Sequence, residues 1–324
     1  MAKIVVAVTR RLPALVEARL RTEYEARLNA TDRPLSASEI AAAAAGADVL
    51  LPTVTDRIDA ALVPNLPASI RLIANFGAGL DHIDLAACAA RGIPVTNTPD
   101  VLTEDTADLA MALILAAARR LGEGERMVRG AAWRGWTPTF MIGRRVAGKR
   151  IGIVGMGRIG AALARRALGF GMSVHYHNRS RAPAPLEAEL RAQFWPELDA
   201  MLGAVDFVSI HCPRTKDTEG LFSTARIARM LPHAILVNTA RGGIVDESAL
   251  AAALAAGRIA AAGLDVYDGE PSVNPALFAL ENVVLAPHLG SATEEGRVAM
   301  GERALANIAA FAEGRPLPDQ VKPR

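Results

Sequence analysis

The feature that most constrains this chain is a glycine-rich turn directly after a short apolar run. Residues 151–154 read Ile-Gly-Ile-Val, which predicts a buried strand, and glycines follow at Gly155, Gly157 and Gly160 in the spacing G-x-G-x-x-G. The first glycine permits a tight turn, the second lets backbone approach a pyrophosphate, and the third lets a helix pack on the strand. A helical pattern and a strand-like stretch at 173–177 follow. The segment therefore predicts a Rossmann βαβ unit that binds a dinucleotide.

The composition limits the classes to which the chain can belong. With 324 residues, 51% hydrophobic and 22% charged, it can bury the cores of two domains. A net charge of +2, without any Lys/Arg run longer than a pair, disfavours nucleic acid. The longest apolar run, 109–118, is well short of the ~18 residues of a membrane span. Cys88 and Cys212 are the only cysteines and lack metal-ligand spacing, which indicates a reduced, cytoplasmic protein without a disulfide framework or a metal site.

Strand-like and helix-like segments alternate along the chain, which predicts the α/β class with parallel sheets. In the first part we expect a helix over 13–28, a capping box at Ser36 and Glu39, and a helical turn over 58–62. A long apolar helix begins at Thr103 and is predicted to be buried between two domains.

Little periodicity is present between this long helix and the glycine-rich turn. Residues 122–148 contain glycines, arginines, Trp133 and Trp136, and this composition predicts an arm or loop. The two tryptophans are expected to pack the arm rather than to bind a cofactor.

Polar motifs follow three of the later predicted strands, at the edge where ligands bind in open α/β sheets. Arg241 can bind a carboxylate with its fork of donors. A carboxylate such as Glu270 beside His288 favours the charged imidazole and fixes its tautomer, which gives an acid able to protonate a carbonyl oxygen. The motifs are Asn-Thr-Ala-Arg-Gly-Gly at 238–243, Gly-Leu-Asp-Val-Tyr-Asp-Gly-Glu-Pro at 263–271 and Ala-Pro-His-Leu-Gly-Ser-Ala-Thr at 286–293.

With these motifs, with the stretch 75–84 and with His-Cys-Pro at 211–213, the chain resembles the D-isomer-specific 2-hydroxyacid dehydrogenases over almost its whole length. The resemblance implies two Rossmann-like parallel-sheet domains with a cleft between them and hinge closure over the substrate. A flavodoxin-like substrate domain would span residues 1–98 and be completed by 291–324. The dinucleotide-binding domain would span 99–290.

Site residues are implied by the resemblance, position by position. Arg241, Glu270 and His288 would be catalytic, and the substrate carboxylate would be bound by Arg241 and the loop Gly77, Ala78 and Gly79. The remaining implied positions contact the cofactor. They are Thr106, Gly155, Gly157, Arg158, Ile159, Gly160, Asn178, Arg179, Ser180, Arg181, His211, Cys212, Pro213, Thr239, Ala240, Asp265 and His288.

The activity implied is reduction of a 2-keto acid to a D-2-hydroxy acid. The stretch 28–36 is similar to the glyoxylate and hydroxypyruvate reductase branch, so these two acids are the expected substrates. A D-lactate or phosphoglycerate type of dehydrogenase and a cofactor-sensing corepressor stay open as alternatives. We expect a homodimer through residues 122–148 and no nucleic-acid or membrane partner.

The second Rossmann strand predicts which nicotinamide cofactor is used. NAD enzymes of this fold place Asp or Glu about 20 residues past the glycines to bind the ribose 2′-hydroxyl. This chain has Asn178, Arg179, Ser180 and Arg181 there, and the arginines can pair with a 2′-phosphate. The sequence therefore predicts NADP, with NADPH preferred over NADH.

The other five histidines are expected to be structural. We expect none of them to have a carboxylate partner in a strand-end position like that of His288. They are His82, His175, His177, His211 and His233.

Overall fold

The structure is a computed structural model that describes residues 3–322. Within that range the chain divides into two compact units. The first is formed by the described residues up to Leu102 and from Ala292 onward, and the second by Thr103–Ser291. Each unit is built on one parallel sheet, so the predicted α/β class with two parallel sheets is confirmed.

The elements within residues 3–322 are numbered in chain order. The strands are β1 (Val5–Val8), β2 (Glu25–Arg27), β3 (Val49–Leu51), β4 (Leu72–Ala74), β5 (Val95–Thr96), β6 (Arg150–Val154), β7 (Ser173–His177), β8 (Gln193–Phe194), β9 (Phe207–Ile210), β10 (Ile235–Asn238), β11 (Ala261–Leu264) and β12 (Val283–Leu285). The α-helices are α1 (Ala14–Glu23), α2 (Ala37–Ala43), α3 (Leu85–Ala90), α4 (Thr103–Ala118), α5 (Leu121–Arg129), α6 (Arg158–Gly169), α7 (Ala184–Leu190), α8 (Leu198–Leu202), α9 (Thr224–Ile227), α10 (Glu247–Ala255) and α11 (Glu294–Ala312). Short 3₁₀ turns cover Val63–Asn65 and Pro275–Leu277.

The first unit has a five-stranded sheet in the order β2-β1-β3-β4-β5 within the described residues. Strands buried on both faces of a parallel sheet read as continuous apolar runs, and β3 and β4 consist of Val-Leu-Leu and Leu-Ile-Ala. One apolar cluster packs α2 and α3 on one face, and the other packs α1 and α11 on the opposite face. At the start of α2 the Ser36 and Glu39 capping box is present as predicted.

The second unit has a seven-stranded parallel sheet in the order β12-β11-β10-β9-β6-β7-β8 within the described residues. From β6 the chain first runs outward through β7 and β8, then returns to β9 on the other side and continues to β12. The order therefore reverses between β6 and β9, and ligands bind at such a switch point, outside the carboxyl ends of the strands. Helices α4 and α6 cover one face, and α8, α9 and α10 cover the other.

Three predicted segments differ from the structure. The helix expected over 13–28 ends at Glu23, because Tyr24 turns to an extended conformation and the Glu25 N–H donates to the Ile4 carbonyl to begin β2. The turn expected over 58–62 begins one residue later, because Ile58 pairs with Ile83 in a bridge; the Asp59 carbonyl accepts from the Leu62 and Val63 N–H groups, and the turn continues into the 3₁₀ segment Val63–Asn65. The arm expected over 122–148 begins with the helix α5.

Candidate active site

The glycine turn after β6 has the geometry that a dinucleotide phosphate needs. Gly155 has a φ of +103°, and a Cβ there would lie 2.5 Å from the Cys212 backbone nitrogen. A Cβ at Gly160 would lie 2.3 Å from the Gly155 oxygen, so α6 packs directly on the turn. A Cβ at Gly157 would meet nothing within 4 Å, and α6 begins there without a side-chain cap. The start of α6, with the N–H groups of Arg158 and Ile159, could therefore hold a pyrophosphate.

After β7 the chain presents one fixed amide and two arginines, of which one is paired with a carboxylate and the other is not. The Asn178 Oδ1 accepts a hydrogen bond from the Met156 N–H at 2.7 Å, which ties β7 to the glycine turn. The Arg181 Nε lies 2.9 Å from both carboxylate oxygens of Glu187. Arg179 is exposed, as is Ser180, and no described residue pairs with Arg179. Of the two arginines, Arg179 thus has its full donor fork available.

The strand β9 ends in the predicted His211, Cys212 and Pro213 segment, which packs against Gly155. The His211 Nε2 lies 2.8 Å from the Ser209 hydroxyl, and its Nδ1 is buried without a partner among the described atoms. Burial lowers the pKa of His211 to about 4 and raises the pKa of Cys212 to about 11. Both side chains are therefore neutral near pH 7. Just after the neighbouring strand β10, the Thr239 hydroxyl is likewise buried and unpaired among the described atoms.

Glu270 and His288 form a hydrogen-bonded pair beyond β11 and β12. The His288 Nδ1 lies 2.7 Å from Glu270 Oε2, and the Tyr267 N–H donates to Glu270 Oε1 at 2.9 Å. Burial would raise the pKa of Glu270, but these two hydrogen bonds and the charges of His288 and Arg241 outweigh it and lower that pKa. Glu270 is therefore a carboxylate that fixes the imidazole by Nδ1 and leaves Nε2 to face a reactant.

A buried carboxylate holds the loop that carries His288. Asp265 is fully buried and accepts from the Leu289 N–H at 2.6 Å and from the Gly290 N–H at 2.9 Å. Burial raises the pKa of Asp265, against the effect of these N–H groups. The Thr106 hydroxyl donates to the Gly290 carbonyl at 2.9 Å, so the Gly290 residue is held from both sides. His288 itself has a φ of +55°, and its N–H donates to the Asp265 carbonyl.

Arg241 follows β10 in a loop that lies tightly against the Glu270 loop. A Cβ at Gly242 would lie 1.8 Å from the Tyr267 carbonyl oxygen, so only glycine permits this approach. The Arg241 carbonyl accepts from the Asn238 side chain at 2.9 Å. The Tyr267 hydroxyl donates to the Ala286 carbonyl at 2.9 Å, two residues before His288. The carboxyl ends of β10, β11 and β12 thus bring together a guanidinium, a carboxylate and an imidazole.

In the first unit, two asparagines orient the loop 77–79. The Asn75 amide donates to the carbonyls of Gly77 and Gly79 at 2.9 and 3.0 Å, and the Asn97 amide donates to the Ala78 carbonyl at 2.8 Å. In a trans peptide the N–H points opposite to the carbonyl. The N–H groups of Ala78 and Gly79 are therefore turned away, and within residues 3–322 they have no acceptor. The sequence motif contained Asn75, but its role as a clamp depends on geometry that no spacing reveals.

Comparison with known proteins assigns the family. The family model described as D-isomer specific 2-hydroxyacid dehydrogenase, NAD binding domain, matches residues 111–290, more than half of the chain. The chain belongs to the D-isomer-specific 2-hydroxyacid dehydrogenase family. The predicted resemblance is thereby confirmed.

Relatives of this dehydrogenase are similar over most of its length. Glyoxylate reductase of Thermococcus litoralis is 48% identical over 278 residues, which cover 85% of this chain and 83% of that protein. Glycerate dehydrogenase of Hyphomicrobium methylovorum is 41% identical and covers 94% of each chain. A solved NADPH-dependent glyoxylate/hydroxypyruvate reductase of Sinorhizobium meliloti, in complex with NADP and malonate, has a TM-score of 0.87 and 34% identity, covering 99% of this chain and 97% of that one. These matches support an enzyme of the glyoxylate reductase branch.

Among the remaining histidines of the dehydrogenase, His233 also has a carboxylate partner, but in a different setting. The His233 Nε2 lies 2.7 Å from Asp206 Oδ1, so His288 does not have the only carboxylate partner. His233 precedes β10, however, whereas His288 follows β12, so the two pairs lie at opposite edges of the sheet. Asp206 is also bound by Arg150 at the start of β6, as expected of a structural ion pair.

Two further features of the described residues concern membranes and metal ions. No helix within residues 3–322 is long and apolar enough to cross a membrane. The same residues contain no group of three or more His, Cys, Asp and Glu side chains that could hold a metal ion.

Proposed function

We propose that this dehydrogenase reduces a small 2-keto acid to the D-2-hydroxy acid with NADPH, and that glyoxylate and hydroxypyruvate are its preferred substrates. The observation that carries the proposal is the 2.7 Å pair of His288 and Glu270 beside the Arg241 loop. The names of the similar glyoxylate reductases and of the glycerate dehydrogenase support the choice of substrates.

Each group has a defined role in this proposal. The Arg241 fork binds the substrate carboxylate, and the outward N–H groups of Ala78 and Gly79 are further donors. A nicotinamide cofactor, when bound, would supply the hydride. The His288 Nε2 donates a proton to the carbonyl oxygen, and ionised Glu270 stabilises the charged imidazole before transfer. The second unit is proposed to bind the dinucleotide, and the first unit to contribute to substrate binding.

The substrate proposal is tested by kcat/KM for a panel of 2-keto acids, each measured with both nicotinamide cofactors. We expect glyoxylate and hydroxypyruvate to exceed branched and aromatic keto acids by at least ~10-fold, the size of a pocket's discrimination between side chains. Arg241→Gln is expected to reduce turnover of every acid in the panel, because all carry the same carboxylate. A tenfold advantage for the larger acids would contradict the branch assignment.

We also propose a homodimer formed through residues 122–148, in a cytoplasmic protein whose Cys88 and Cys212 are free thiols. Several apolar side chains of this region lie exposed, and Trp136 is 77% exposed. Exposed apolar patches of this kind mark protein interfaces. A two-fold axis would bury the same patch on both copies.

Light scattering at micromolar concentration should therefore give twice the mass of one chain, and Trp136→Asp should shift the protein toward the monomer. Phe278→Asp is the matched control, because Phe278 is 64% exposed and lies outside residues 122–148. A monomeric parent protein with full activity would exclude the dimer. An equal shift by both variants would exclude this surface.

A further inference from the structure

Arg214, which follows the predicted cofactor segment after β9, joins three loops at the carboxyl edge of the sheet. Its Nη1 lies 3.0 Å from Asp268 Oδ1, and its Nη2 lies 2.6 Å from Glu219 Oε1. The side chain is 35% exposed, so about two thirds of it is covered. Its two partners, Asp268 and Glu219, have no role in the proposed function.

The guanidinium crosses the loop that carries Arg241. Gly243 has a φ of +75°, and a Cβ there would lie 2.6 Å from the Arg214 Cζ and 2.8 Å from its Nη1. On the other side of the loop, Gly242 lies against the Tyr267 carbonyl. The segment 241–243 is thus held between the Arg214 side chain and the backbone of the Glu270 loop. Gly242 is required by the backbone contact with Tyr267, and Gly243 is favoured by its positive φ.

The ion pair of Arg214 with Asp268 fixes the Glu270 loop. Asp268, which accepts from Arg214, lies two residues before Glu270, and its own N–H donates to Glu247 Oε1 at 2.7 Å. The Gly243 carbonyl accepts from the Gly220 N–H at 2.8 Å, so the segment after β9 also holds this glycine directly. One side chain therefore links the loops that present Arg241 and Glu270.

We propose that Arg214 is a positioning residue for the substrate site: it clamps the Arg241 loop against the Glu270 loop and so fixes the carboxylate-binding guanidinium relative to the proton donor. The inference rests on the proposed roles of Arg241, Glu270 and His288. A displacement of about 1 Å at a positioned group is enough to cost on the order of 10²-fold in rate.

A different kinetic result is expected for an arginine whose ion pair only stabilises the fold. Arg226 provides the matched control, because its Nε lies 2.7 Å from Asp199 Oδ1, its Nη1 donates to the Leu221 carbonyl, and its side chain is 31% exposed. Its contacts involve none of the loops after β10, β11 or β12. Arg226→Gln should change thermal stability and leave kcat/KM unchanged.

The experiment compares Arg214→Gln, Arg214→Lys and Arg226→Gln in the full chain, with glyoxylate or hydroxypyruvate and NADPH. Arg214→Gln is expected to lower kcat/KM for the keto acid at least ~10-fold, through KM and kcat together. The Kd of NADPH, from fluorescence titration, should stay within about threefold, because residues 211–213 keep their packing on Gly155. Arg214→Lys keeps the charge but not the fork, and should restore part of the loss.

A double-mutant cycle identifies the contact responsible. Asp268→Asn should reproduce most of the effect of Arg214→Gln, and the two changes together should cost less than their sum. The inference is overturned if Arg214→Gln loses no more kcat/KM than Arg226→Gln at equal thermal stability, or if the cycle is additive.

Arg241→Gln separates failure of this inference from failure of the proposed function. An inactive Arg241→Gln enzyme together with a fully active Arg214→Gln enzyme would contradict only the positioning role of Arg214. An active Arg241→Gln enzyme would contradict the proposed role of Arg241 itself. The positioning role of Arg214, which depends on it, would then be contradicted as well.

Discussion

Replacing His288 by alanine is expected to lower kcat for keto-acid reduction by at least ~10²-fold, the scale of general acid catalysis. The imidazole is bound at Nδ1 by Glu270 at 2.7 Å, which leaves Nε2 as the nitrogen that can donate to a carbonyl oxygen. Binding of NADPH should persist, since the glycine turn and Asn178 follow other strands, β6 and β7. Steady-state kinetics with glyoxylate and with hydroxypyruvate, and a fluorescence titration with NADPH, measure both effects.

The chain contains a close control for this variant. His233 has a carboxylate partner at the same 2.7 Å and the same 39% side-chain exposure as His288, but it lies at the amino edge of the sheet. His233→Ala should therefore lower thermal stability while kcat is retained. A fully active His288→Ala enzyme, or an equal loss of kcat in the two variants, would remove the catalytic assignment.

Patterns within one segment of sequence predicted local structure well. The strands β6 and β7 lie where the apolar run at 151–154 and the strand-like stretch at 173–177 placed them. The glycine fingerprint worked because two of its glycines have a steric reason in the structure, a left-handed φ at Gly155 and a close approach at Gly160. Such constraints are local, so the sequence alone carries them.

Contacts between distant segments were not predictable in this way. The helix expected over 13–28 is present but ends at Glu23, because Glu25 joins the ladder beside β1, a pairing that local helical propensity does not report. His233 and Asp206 are 27 residues apart, and only the sheet brings them together. Arg214 and Asp268 are 54 residues apart, so no motif reveals their contact across Gly243. The same holds for the Asn97 amide, which holds the Ala78 carbonyl from 19 residues away.

Arg179→Ala is expected to reduce kcat/KM with NADPH at least ~10-fold and to leave NADH nearly unchanged, because one charge-assisted hydrogen bond is worth about 1.5–3 kcal/mol. The parent enzyme should prefer NADPH over NADH by a similar factor. The sequence pointed to both arginines, and the structure separates them, since Arg181 is held by Glu187 while Arg179 has no partner within residues 3–322. Arg181→Ala should therefore cost less than Arg179→Ala.

Asn178→Asp tests the same preference in the opposite direction. An aspartate can still accept from the Met156 N–H with one oxygen, as Asn178 does at 2.7 Å, so the glycine turn keeps its support. Its second oxygen would carry charge toward the ribose, where it binds a 2′-hydroxyl and repels a 2′-phosphate. The ratio of kcat/KM for NADPH to that for NADH should fall in this variant, and an exposed arginine of the same unit, Arg191→Ala, should leave the ratio unchanged. Equal efficiency of the parent enzyme with both cofactors would contradict the preference, because the neutral amide and the available Arg179 fork would then provide no discrimination at the 2′ position.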